Sequence, residues 1–79
     1  YPNPFNPTTR IQYNLVASGY ADLVVYNIRG EQVANLVKEQ QSAGQHWIEW
    51  NADSFPGGLY FYQLKANGIQ STKRMLLLR

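Results

Sequence analysis

Leu59-Tyr60-Phe61-Tyr62-Gln63-Leu64-Lys65-Ala66-Asn67-Gly68 is the stretch on which the reading of the fold turns. Its alternate positions Tyr60, Tyr62, Leu64 and Ala66 form one uniformly apolar face, the period of two that puts successive side chains on opposite faces of a strand. Asn67-Gly68 then breaks the pattern with two residues that accept φ > 0. That is the requirement of a tight hairpin, so residues 69–78 are expected to run back antiparallel.

Outward from this hairpin the same alternation recurs. In residues 10–15, Ile11, Tyr13 and Leu15 share one face and polar side chains the other. Residues 21–26 are apolar on both faces and read as a central strand. Asn27-Ile28-Arg29-Gly30 follows as a turn, in which the Asn side chain bonds nearby backbone and Gly supplies φ > 0. Residues 31–37 read as the returning strand, although Val33, Leu36 and Val37 also match a single helical turn. Residues 38–44 are polar and read as a connection. Residues 45–51 are a further strand, with Ile48 and Trp50 on one face and Trp47 and Glu49 on the other. Ala52-Asp53-Ser54-Phe55-Pro56-Gly57-Gly58 reads as a corner loop before the decisive hairpin.

Three of the four prolines lie in Tyr1-Pro2-Asn3-Pro4-Phe5-Asn6-Pro7. Fixed φ and missing N–H groups exclude helix and central strand there. Residues 1–9 are therefore expected to be a stiff, extended lead-in, which together with the lack of an initiator Met suggests a domain cut from a longer protein. Residues 10–79 form the domain proper. Six strands, or seven if the lead-in adds a short one, with a turn signal every ~8–12 residues, suit an all-β, immunoglobulin-like β-sandwich of antiparallel strands. The cysteine pair of true immunoglobulin domains is absent, and a small barrel also fits.

A chain of 79 residues buries only about 60% of its unfolded surface. With no cysteine to staple it, packing must stabilise it, and two Trp, six Tyr and three Phe are expected to build the core. A net charge of +2 is too small for a nucleic-acid binder. No apolar run approaches the ~20 residues of a membrane helix. The absence of cysteine suits a cytoplasm and a bacterial exterior equally.

Catalytic groups are sparse. A single imidazole, His46, cannot assemble an ordinary metal site. No serine sits in a nucleophile elbow, and Gly57-Gly58 lacks the strand-glycine-helix context of a phosphate loop. The expectation is a protein that is not an enzyme and needs no cofactor or metal. Trp47 and Phe61, each opposite a core-facing neighbour, are candidates for stacking on sugar rings, weighed against simple packing.

Three segments taken together carry a family resemblance. They are the opening Tyr1 to Thr9, the central Val24-Val25-Tyr26-Asn27-Ile28-Arg29-Gly30-Glu31-Gln32-Val33, and Phe55-Pro56-Gly57-Gly58-Leu59-Tyr60-Phe61-Tyr62 with the tail Lys73-Arg74-Met75-Leu76-Leu77-Leu78-Arg79. In this order they resemble, end to end, the type A C-terminal sorting domain of the type IX (Por) secretion system. They are also similar to the immunoglobulin-like domain of the flagellar hook-capping protein family. The first resemblance implies a secretion signal at the end of a larger bacterial protein, read by the type IX translocon and a sortase-like protease. It further implies an upstream passenger domain and a route through the periplasm to the cell surface or the medium. Matched by position, Gly58, Leu59 and Tyr60 correspond to the family's strand start, and Lys73, Arg74, Met75, Leu76, Leu77, Leu78 and Arg79 to its basic-then-apolar tail. Asn27 stands where Asp is commoner, and Leu59 where Val is. The apolar run of residues 75–78 implies either a buried final strand or one that adds to a receptor's sheet. Two other readings remain beside this one: a carbohydrate-binding or spacer module of a secreted hydrolase, and a structural immunoglobulin-like module of an extracellular assembly.

Overall fold

A computed structural model describes residues 8–78. Six strands follow in chain order: β1 (Thr8–Leu15), β2 (Gly19–Tyr26), β3 (Gln32–Gln41), β4 (Gly44–Asn51), β5 (Gly58–Ala66) and β6 (Ile69–Leu77). All pairings are antiparallel, and there is no helix among the described residues. β1 and β4 form one sheet; the other has the order β3-β2-β5-β6. The two sheets make a small sandwich, with the apolar faces turned toward each other. β1 begins two residues earlier than the expected start at residue 10, since Thr8 and Thr9 of the lead-in already pair with Asn51 and Trp50; a separate strand in residues 1–7 falls outside the described residues.

Both turn readings hold. Asn67 and Gly68 take φ of 55° and 74°, as a two-residue hairpin of this type needs. In the β2–β3 turn, Asn27 Oδ1 accepts from the backbone N–H groups of Arg29 (2.9 Å) and Glu31 (3.0 Å), and Gly30 sits at φ 81°.

β3 departs from the sequence reading in two ways. It runs on to Gln41, so Lys38, Glu39, Gln40 and Gln41 are strand rather than connection, paired with Asp22, Ala21, Tyr20 and Gly19. These side chains are polar because β3 is an edge strand with little to cover them. Its resemblance to a helical turn also has a cause. Val37 faces Leu23 while Asn35 faces Val24, and Ala34 faces Val25 while Gln32 faces Tyr26, so Leu36 and Val33 are the extra residues of two irregularities. Each extra residue breaks the period of two.

The core is mixed: Trp50 and Tyr60 belong to it as expected, but the most deeply buried residues are aliphatic, and Trp47 and Tyr20 are exposed. Ala21, Leu23 and Val25 on β2 are fully excluded from water, because a central strand is covered on its inner face by the opposite sheet. The aromatic part of the core lies at the corner end, where Trp50 and Tyr60 are buried and Phe55 packs against them. The Trp50 and Tyr60 rings meet edge to face at 5.3 Å between centroids, an arrangement worth about 0.5–1.5 kcal/mol beyond burial.

Candidate recognition surface

Alternation along β6 sorts its side chains between two environments. Leu77 is buried against the core and Met75 half-buried, while Arg74 and Leu76 project from the outer face. Leu76 is 65% exposed, and Leu78, just past the strand, 75%. β6 is the last strand of its sheet, and its free edge has no partner among the described residues. The expectation of a buried final strand is thus not met. Only alternate residues of the apolar run are inside.

β5 completes the surface. Leu59 is paired with Leu76, and Phe61 with Arg74, while Tyr26 of β2 lies on the other side of Phe61. Leu59, Leu76, Phe61 and Arg74 therefore share one outer face. An apolar patch beside an unpaired strand edge is what isolated sheets normally avoid, because it invites another chain to pair.

Gly58, Tyr60 and Lys73 lie off this outer face. Gly58 opens β5 at φ 143°, a left-handed conformation that favours glycine. Tyr60 is 4% exposed, with its hydroxyl donating to the Pro56 carbonyl at 2.6 Å. This is the geometry of a tyrosine corner, which closes the turn between the sheets of many sandwiches. Lys73 is opposite Tyr62 and faces the other way from Arg74, into a groove of about 250 Å³ between β1 and β5–β6. The two basic residues thus serve different faces. Arg79 lies outside the described residues.

Trp47 and Phe61 do not form one platform. Trp47 projects from the outer face of the β1–β4 sheet and Phe61 from the outer face of the other, on opposite sides of the sandwich. His46 stacks on Tyr13 at 5.4 Å and bonds through Nε2 to the Ser42 carbonyl at 2.7 Å. Its role here is packing at the β3–β4 end. Among the described residues no group of His, Cys, Asp and Glu is placed to hold a metal.

The class that the fold defines is a small all-β sandwich, with no metal-holding group among the described residues. The chain belongs to the family of secretion system C-terminal sorting domains, whose model matches residues 1–78. It is a sorting domain of the type IX kind, and the family is defined by a signal rather than by a catalytic activity. Neither curated proteins nor solved structures give a match.

Proposed function

We propose that this domain is the address of a larger exported bacterial protein, read by the type IX translocon and its sortase-like protease. The domain performs no chemistry: cleavage and anchoring belong to the partner, and any catalytic activity to the upstream passenger. After transit through the periplasm, the destination is the cell surface or the medium. One observation carries this reading. Among the described residues the edge of β6 has no partner strand, and the strand turns Leu76 outward beside Leu59 and Arg74.

The mode of contact follows from that geometry. A receptor strand pairing with β6 gains main-chain hydrogen bonds for affinity, and alternate side chains supply specificity. Leu59, Arg74, Leu76 and Leu78 are the contacting residues. Gly58, Tyr60, Met75 and Leu77 hold β5 and β6 in place beneath them, and Lys73 within the strand and Arg79 at the sequence end add positive charge to the signal. The test is to fuse residues 1–79 behind a periplasmic reporter in a bacterium with type IX machinery. Delivery of the reporter to the surface or medium is expected. Its retention in the periplasm, in an assay where a known sorting domain works, overturns the reading.

A further inference from the structure

The outer face of the β1–β4 sheet lies on the far side of the sandwich from the leucines of β6, and it holds a solitary aromatic. β1 presents Arg10, Gln12 and Asn14 there, opposite Glu49, Trp47 and Gln45 of β4. Trp47 is 56% exposed, although the Arg10 guanidinium carbon sits 4.2 Å from the centre of its ring. The guanidinium lies over the indole ring, and more than half of the residue's surface is still open to water. A cation held against the ring favours one ring orientation, and preorganisation lowers the entropy lost on binding. Around it, Gln12, Asn14, Gln45 and Glu49 are exposed, and their side chains make no hydrogen bond or ion pair among the described residues.

Folding supplies no reason for this arrangement, since Trp50 and Ile48 fill the inner face of the same strand. We infer that the β1–β4 outer face is a binding site for a neutral polysaccharide of β-linked hexopyranosides. A chair-form pyranose with equatorial hydroxyls has a flat C–H face, slightly positive, which matches the negative face of an indole. Its hydroxyls project around the rim, where paired donors and acceptors are needed. Planar amides at Gln12, Asn14 and Gln45, with the Glu49 carboxylate, provide them. Arg10 and Glu49 lie across from each other and balance in charge, which favours a neutral glycan over an acidic one. Polar neighbours on every side distinguish Trp47 from a protein hot spot, whose anchor is ringed by contacts that exclude water. This site is independent of the sorting surface.

The experiment is affinity electrophoresis of residues 1–79 in native gels containing hydroxyethylcellulose, glucomannan or xylan, with tryptophan fluorescence read in parallel. Retardation in at least one gel is expected, together with a blue shift of emission from Trp47; buried Trp50 contributes a constant background. Trp47→Ala should weaken the interaction about tenfold or more while leaving the circular dichroism spectrum unchanged, and Gln12→Ala should weaken it to a smaller extent. Mobility unaffected by all three polysaccharides overturns the inference. So does retardation that Trp47→Ala leaves intact.

Discussion

The Tyr60 hydroxyl donates to the carbonyl of Pro56 at 2.6 Å, tying the start of β5 to the corner that precedes it. Because the Tyr60 ring also packs on Trp50 of the opposite sheet, this bond fixes the corner and the sheet-to-sheet contact together. Tyr60→Phe keeps the ring and strands the carbonyl, at a cost of about 1–2 kcal/mol. Tyr60→Ala also opens a cavity, at a cost of about 3–5 kcal/mol. Urea denaturation midpoints of the two variants should fall in that order.

At the opposite end, Asn67 Nδ2 donates to the Ala17 carbonyl at 2.8 Å and links the β5–β6 hairpin to the turn before β2. A Cβ added at Gly19 would meet Asn67 Oδ1 at 2.2 Å. Gly19→Ala therefore displaces the Asn67 amide and should cost about 1 kcal/mol, the worth of the lost bond. In an Asn67→Gly background, which keeps the turn's positive φ, the same Gly19→Ala change should be nearly neutral. Equal costs in both backgrounds would show that the two residues are not coupled.

Tyr13 makes stability depend on pH in the alkaline range. Burial raises its pKa above the usual 10, the hydrogen bond to Gln41 opposes that shift, and the nearby Glu39 charge adds to it. The neutral phenol is thus favoured by folding. Its contribution is intact below about pH 10 and is lost as pH rises from there through the higher folded value. The stability difference between the protein and Tyr13→Phe, read by denaturant titration, should be constant from pH 7 to about pH 9 and then shrink.

Leu76→Glu places a charge on an exposed side chain, so its effect on stability should stay within about 1 kcal/mol. Its effect on recognition should be far larger, because a carboxylate buried against a receptor strand is left unpaired. Leu77→Glu is the contrasting change. Leu77 is buried, and that variant should lose stability by several kcal/mol. Thermal melts of the purified domain separate the two.

Much of the fold was legible because short-range rules decide it. Asn67-Gly68 and Asn27 to Gly30 adopt the turns their residue types require, and the faces of β1, β4 and β5 follow strict alternation. β3 was misread at its C-terminal end because polarity on an edge strand looks like a loop, and only pairing to β2 reveals the strand. Less of the candidate site was visible. Gly58, Leu59 and Tyr60 are neighbours in sequence, yet tertiary structure gives the first a backbone role, the second an exposed face and the third a buried bond. Likewise Lys73 and Arg74 are adjacent but point to opposite faces, as strand geometry demands. The pairing of Leu59 with Leu76 and of Phe61 with Arg74 depends on the register of β5 against β6. A two-residue turn at Asn67-Gly68 sets that register, by pairing Ala66 with Ile69 and each earlier residue of β5 with a later one of β6.

The most direct test measures where an exported reporter ends up when it carries residues 1–79, against the same fusion with Leu76→Glu, in a bacterium with type IX machinery. The wild-type domain should deliver the reporter to the cell surface or medium, and the folded Leu76→Glu variant should leave it in the periplasm. Periplasmic retention with the wild-type domain, while a known sorting domain delivers the same reporter, would contradict the account.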